Sequence, residues 1–338
     1  MRIALDLGGG PIHSVLAGAI AAARTGEHEL RLFGPEEAIR AELAVIGSSE
    51  NAQIAIHDAP GVIGISDDTA QSCRDRKDTS VLNAAACAAS GEADAFITVA
   101  PTRIATAAAL WHFKRLPGVL KPAAACLIPS REHRTLLLDV GSASECKPWH
   151  LLQFGLMGSL YARSVLDRLE PSVRILSSGT PASGPSELVR EALPLLKYAG
   201  LRFEGPIEPH AISEGQADVV LTDGDTGEIL IGAIKGLADH YSIMLESSVG
   251  KTTLGRIGAL LADKALKEAA AEGFGIGKEG TALLGVAGTA ILCGGTREEA
   301  AAAVDTAAKL ERSVFRKRLQ KRLADVKTGM ETQGAIES

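Results

Sequence analysis

Aromatic residues make up only 4% of this 338-residue chain, and no basic surplus accompanies them, since the formal charge is −6. Single-stranded nucleic acids are held on stacking platforms and duplexes on a cationic footprint, so a dedicated nucleic-acid binder is excluded. Cysteine is sparse and scattered: Cys73, Cys87, Cys126, Cys146 and Cys293 form no C-x-x-C pair. That pattern supports neither a disulfide framework nor a zinc site and fits a reducing compartment. Long apolar runs are missing as well. No stretch approaches the roughly 18 apolar residues of a membrane span, and Asp6 interrupts the opening MRIALDLGGG before a signal-peptide core forms. A cytoplasmic protein is expected.

Several chemical signatures are also lacking. Gly8-Gly9-Gly10 does not match G-x-G-x-x-G, and Val249-Gly250-Lys251-Thr252 lacks the first glycine and the preceding strand of a P-loop. No G-x-S-x-G elbow occurs, and the eight histidines show no H-x-x-x-H spacing, so no metal is expected.

What remains is apolar and glycine-rich: 46% hydrophobic residues and 36 glycines. Short β-type runs (2–6, 29–33, 53–56, 93–99, 136–140, 173–177, 217–222 and 290–293) alternate with alanine-rich helical stretches. This alternation predicts an α/β fold with a mostly parallel sheet covered on both faces. A proline-spaced stretch at Pro117–Pro129 and a glycine-rich one at Gly273–Gly280 read as crossings between two lobes. Lobe one then comprises 1–125 plus 275–338, and lobe two 126–274. The polar tail after Val326 is expected to fray.

Ligands of open parallel sheets gather where strands end and helices begin. Here those ends carry Asp6-Leu7-Gly8-Gly9-Gly10, Thr98-Val99-Ala100-Pro101-Thr102-Arg103, Asp139-Val140-Gly141-Ser142, Ser177-Ser178-Gly179-Thr180 and Asp223-Gly224-Asp225-Thr226-Gly227. Glycine permits close backbone approach, and the free N–H groups of a helix start attract an anion such as phosphate. Each loop alone is explained by a tight turn; five together point to a cleft for a phosphate-like ligand. Lys147 and His150, one turn apart at a helix start, suit anion binding or proton transfer as well as they suit a surface cap. Arg74, Arg76 and Lys77 form a short basic cluster, read either as a solvated run or as an anion site. A last helix over 309–327 interleaves Arg312, Arg316, Lys317, Arg318, Lys321 and Arg322 with apolar residues. It suits peripheral membrane contact or an acidic carrier, or packs its apolar stripe on the protein body.

The ordered series of segments resembles the PlsX family of phosphate acyltransferases, which convert acyl-acyl-carrier protein and inorganic phosphate to acyl phosphate. The resemblance is carried by IALDLGGG, RDRKDTS at 74–80, SGEADAFITVA at 90–100 and LLLDVGSASECKPWHLLQFGLMGSLYA at 136–162. GQADVVLTDGDTGEILIGAIKG at 215–236 and GTALLGVAG at 280–288 complete it. It implies a three-layer α/β/α, isocitrate/isopropylmalate-dehydrogenase-like fold, a homodimer, and neither metal nor cofactor. The partners implied are acyl carrier protein or acyl-CoA, and inorganic phosphate.

The presumed substrate loops depart from the family pattern. Pro11 follows the opening glycines where the family has aspartate. Pro101 and Arg103 stand in its Ala-Gly-Asn-Thr-Gly loop, and Cys293-Gly294 replaces a histidine-glycine. The loop at 177–184 looks more like the serine/threonine-rich loop of phosphate acetyltransferases. By this resemblance Lys77, Lys147 and His150 surround phosphate or thioester. Asp6, Gly8, Gly9, Thr98, Thr102, Arg103, Asp139, Gly141, Ser178, Gly179, Asp223, Gly224, Thr226 and Gly227 form the cleft. Two alternatives stay open: an acyltransferase for short acyl-CoA, and a non-catalytic paralogue that binds an acyl carrier or a partner enzyme.

Overall fold

The computed structural model describes residues 1–26, 28–47, 53–143, 145–178, 184–249 and 275–332. The first part of the chain runs β1 (Arg2–Asp6), α1 (Ile12–Gly26), β2 (Glu29–Gly34), α2 (Glu36–Ile46), β3 (Ile54–Asp58), α3 (Thr69–Asp75), α4 (Ser80–Ala89), β4 (Ala95–Thr98) and α5 (Thr102–His112). The middle part adds β5 (Ala123–Pro129), β6 (Arg134–Leu138), α6 (Pro148–Val165), β7 (Ser172–Leu176), α7 (Glu187–Tyr198), β8 (Arg202–Ile207), α8 (Pro209–Ser213), β9 (Val219–Leu221) and α9 (Gly224–Val249). The last part contributes β10 (Thr281–Leu284), β11 (Thr289–Leu292), α10 (Arg297–Arg312) and α11 (Phe315–Thr332).

Successive side chains of a strand point to opposite faces, which divides the interior into two cores. Ile3, Leu5, Leu30, Leu32, Leu136 and Leu138 face one core with α1, α6, α7, α10 and α11. Ala4, Phe33, Phe96 and Leu137 face the other, with α4, α5 and α8. The glycines of α6 let that helix lie against the sheet: a Cβ on Gly158 would come within 2.6 Å of Val219 Cγ1. Helices, sheet and helices make the expected three layers.

All these strands belong to one sheet, in the order β3-β2-β1-β4-β11-β10-β5-β6-β9-β7-β8. Pairing is parallel except at β11–β10, β10–β5 and β5–β6. Those three reversals leave β6, β9, β7 and β8 running opposite to β1, β4 and β11. The strand ends that feed helices therefore lie at opposite edges of the sheet in its two halves.

The structure changes some sequence-based boundaries. β5 lies inside the stretch read as a junction: prolines flank a buried Ala-Ala-Ala-Cys-Leu-Ile run that forms a central strand. β8 keeps its Pro206 because it is an edge strand, where a missing N–H costs no ladder bond. The helix expected over 309–327 is two helices, broken where Ser313 turns to an extended ψ of 159°. α11 continues to Thr332, past the expected fraying point at Val326. Its Phe315, Leu319 and Leu323 are buried, with Phe315 edge-on to Tyr161 of α6 at 6.3 Å. Arg322 caps the end of α7 by donating to the carbonyls of Ala199 and Gly200 at 2.8 and 3.1 Å. The apolar stripe of this basic helix thus packs on the protein body. Among the described residues no helix is long and apolar enough to cross a membrane.

Candidate active site

One cluster forms where β1 and β4 end. Asp6 is fully buried; its carboxylate accepts the Gly8 N–H at 2.9 Å and the Thr98 hydroxyl at 2.6 Å. Thr98 Oγ1 in turn accepts the Ala100 N–H at 2.9 Å. Burial pushes the Asp6 carboxyl up, while hydrogen bonds from Ser80, Thr98 and Gly8 pull it down. Gly8 is required by crowding: a Cβ there would lie 1.9 Å from Ser80 Oγ at the start of α4. Asp6 therefore ties the first glycine loop to the loop after β4. Lys77 belongs to the turn before α4. Its carbonyl accepts the Asn83 side-chain amide at 2.9 Å, and its ammonium is exposed.

The second cluster forms at the ends of β6, β7 and β9. Asp139 is buried and accepts four hydrogen bonds: the N–H groups of Ala124 (2.8 Å), Ser142 (3.1 Å) and Ala143 (2.8 Å), and the Ser142 hydroxyl (2.7 Å). This saturated carboxylate organises the turn around Gly141, whose φ of 95° favours glycine. The start of α9 presses on that turn. A Cβ on Gly227 would lie 1.9 Å from the Asp139 carbonyl oxygen, and one on Gly224 would lie 2.3 Å from that of Ala143. Asp223 stands just before α9 and accepts the Thr226 N–H at 2.9 Å and its hydroxyl at 2.7 Å. Both of its oxygens are engaged in holding the helix start, as a capping carboxylate does.

Lys147 and His150 open α6 beside this turn. The Lys147 N–H donates to His150 Nδ1 at 3.0 Å. That bond makes Nδ1 an acceptor, so the imidazole is neutral and carries its proton on Nε2. Burial, then the nearby Lys121 and Lys147, hold the His150 pKa below the usual imidazole value. A neutral ring with an Nε2–H donor, two ammonium groups and the N-terminus of α6 meet at one place. Such a set can hold an anion and stabilise an oxyanion. A cavity of about 320 Å³ adjoins it, lined by Ser177, Ser178, Thr222, Asp223 and Thr226 on one side and Leu151 and Val189 on the other.

Arg103 connects the two clusters. From the first turn of α5, beside Thr102, it reaches Asp225 at 3.2 Å and Glu228 at 3.5 Å on the first turns of α9. A smaller cavity of about 200 Å³ lies behind this bridge, lined by Thr102, Cys126, Glu228, Lys235, Cys293 and Glu299. Burial and nearby carboxylates push the Cys293 thiol up to about 12, so it is no thiolate nucleophile at neutral pH.

The structure thus brings Asp139, Gly141, Lys147, His150, Ser178, Asp223, Gly224, Thr226 and Gly227 together, and groups Asp6, Gly8, Gly9, Thr98, Thr102 and Lys77 apart from them. Gly179 lies outside the described residues. Sequence reasoning missed Lys121, Ser80 and Glu228. Ser80 and Glu228 stand in the quoted segments at 74–80 and 215–236, but no motif marks Lys121.

The architecture is that of the phosphotransacylases. A phosphotransacetylase from Staphylococcus aureus superposes with a TM-score of 0.59 at 16% identity, covering 92% of this chain and 94% of that one. One from Streptococcus pyogenes gives 0.59 at 18% identity, covering 92% and 94%. At such identities the likeness concerns the fold. Sequence comparison goes further. The chain belongs to the family described as fatty acid synthesis protein, the PlsX family of acyltransferases, whose model matches residues 1–321. A phosphate acyltransferase from Elusimicrobium minutum is 35% identical over 331 residues, covering 97% of each chain. Another from Pelotomaculum thermopropionicum is 35% identical over 334 residues, covering 98% of this chain and 96% of its own.

Proposed function

We propose that the chain moves an acyl group from an acyl-carrier-protein thioester to inorganic phosphate, and that the centre of this reaction is the cluster around Lys147 and His150. The observation that carries the reading is the Lys147 N–H donated to His150 Nδ1, which leaves an Nε2–H donor beside cationic groups and a helix start. A phosphate oxygen attacks the thioester carbonyl carbon and the carbonyl oxygen becomes an oxyanion. The intermediate then expels the carrier sulfur as the C–S bond breaks, and the proton of hydrogen phosphate ends on the thiol. The products are acyl phosphate and free carrier thiol. Phosphate is already nucleophilic, so position and charge stabilisation are what the protein must supply. Lys147 and the α6 N-terminus hold the phosphate, and His150 donates to the oxyanion. Asp6, Asp139 and Asp223 hold loops, because their oxygens are filled by local donors.

The two lobes, 1–125 plus 275–338 and 126–274, belong to this proposal, each supplying one cluster, with Lys77 and the Gly8–Gly9 loop completing the substrate cleft from lobe one. So do a homodimer, a cytoplasmic location and a role in lipid biosynthesis. Ser177, Ser178 and Ser186, which line the 320 Å³ cavity, favour a second reading, a short acyl-CoA as donor. One incubation separates these. The protein is mixed with phosphate and either carrier or coenzyme A thioesters, and acyl phosphate is trapped with hydroxylamine. Product from the carrier thioester supports the first reading, and product from coenzyme A alone the second. Failure with both, despite retained carrier binding, identifies a non-catalytic paralogue.

A further inference from the structure

The loop joining α5 to β5 gives Lys121 to the His150 cluster and also walls a concave groove of about 740 Å³ whose far side is Ser142 and Ala143 of the Asp139 turn. The groove is lined by Lys114, Arg115 and Lys121 and by no carboxylate. These cations bond main-chain carbonyls: Lys114 that of Trp111 at 2.7 Å, Arg115 that of Leu120 at 2.5 Å, and Lys121 that of Glu145. None has an ion-pair partner among the described residues. A chain of net charge −6 therefore concentrates unneutralised positive charge in one concavity. The loop is also held in shape. Gln153 of α6 accepts the Leu120 N–H at 2.8 Å and donates to the Gly118 carbonyl at 2.9 Å. A surface already ordered loses little entropy on binding. Trp111 and Leu120, 43% and 45% exposed, add apolar contact area beside the cations. Leu323 of α11 lies against Gly118, so the helix carrying exposed Lys317, Arg318 and Lys321 borders the groove.

We propose that this groove docks the thioester donor as an acidic carrier protein, whose acyl arm then passes Ser142 towards His150. The proposal rests on the functional reading above. Charge complementarity selects an acidic partner, and the mix of cations with exposed tryptophan and leucine suits a protein face. A bilayer is the poorer occupant, because a flat surface does not enter a concavity and the apolar stripe of α11 is already buried.

The test uses the full chain and its Lys114→Glu/Arg115→Glu variant. Holo acyl carrier protein is titrated onto each at low and moderate salt. Support is a loss of affinity of about tenfold or more in the variant, with a weaker salt dependence than the wild type. In turnover the same change raises KM for the carrier thioester and leaves kcat and the phosphate KM unchanged. Lys114→Glu alone, whose ammonium serves only its own turn, keeps the test open should Arg115→Glu disturb the loop. Equal carrier affinity in wild type and variants overturns the proposal. So does a loss confined to phosphatidylglycerol vesicles or to coenzyme A. Should the wild type form no acyl phosphate, the functional reading falls, while the titration still decides the docking surface.

Discussion

At His150 a main-chain donor sets the tautomer and burial sets the charge, and both make the ring a neutral Nε2–H donor. Protonation would put a second hydrogen on Nδ1, where the Lys147 N–H already points. Because the pKa is held below the ordinary value, the neutral ring persists through neutral pH and is lost only as pH falls into the acid range. Turnover is therefore expected to be flat near neutrality and to drop on acidification. His150→Ala should lower kcat on the order of a hundredfold, the typical cost of one oxyanion donor, and remove that acid limb. A pH–rate profile of both proteins checks this. Lys147→Ala should raise the apparent phosphate KM by about tenfold, the cost of one charge-assisted contact, with the melting temperature unchanged; an unaltered phosphate KM removes Lys147 from the anion site. The sequence motif Lys147-Pro148-x-His150 made these residues visible. The tautomer was not, since it depends on a bond between main chain and ring that spacing alone does not specify.

At the scale of elements, α9 presses its main chain directly onto the Asp139 turn. A methyl group on Gly227 meets a carbonyl oxygen at 1.9 Å, which no side-chain rotation relieves. Gly227→Ala should destabilise the fold by about 1–3 kcal/mol, as overpacking does, or push α9 away and weaken turnover. Urea unfolding with parallel activity measurements distinguishes the two. The glycines of this segment read as turn glycines in the sequence, whereas Gly224 and Gly227 lie on a helix and make room for a neighbouring loop. α11 offers a second case. Its alternation of cations and apolar residues is equally compatible with a membrane, a partner or the protein body, because amphipathicity states that a face will be covered and not by what. Its burial against α6 predicts that truncation after Arg312 lowers stability by several kcal/mol. Three buried apolar side chains are lost, each contributing about 1.5–3 kcal/mol. Thermal unfolding of the truncated chain measures it, and an unchanged melting temperature contradicts the packing role.

For the whole molecule, Arg103 links the two clusters that sit in the two halves of the sheet. Its side chain is 61% exposed and its partners Asp225 and Glu228 are 54% and 56% exposed. A bridge so open to solvent contributes less than about 1 kcal/mol to stability. Arg103→Gly is accordingly expected to leave the melting temperature nearly unchanged while altering activity and anion binding. If neither changes, Arg103 lies outside the working site. The layered α/β architecture was legible along the chain, because strand periodicity, helix length and the alternation of the two are local properties. The sequence determined the family too, through the order of its loop motifs, and it marked the strand-end loops at Asp6, Thr98, Asp139, Ser177 and Asp223. Which loops face each other was set by the long-range strand pairing. Three antiparallel pairings in mid-sheet reverse the strands of the second half, so loops that look equivalent along the chain end at opposite edges. Strand direction depends on which distant segments pair, and β5, the strand where the sheet begins to turn into its second half, is hidden in a run that reads as a linker. The same loop raises Lys121 beside His150, a neighbour that 28 intervening residues conceal in the sequence.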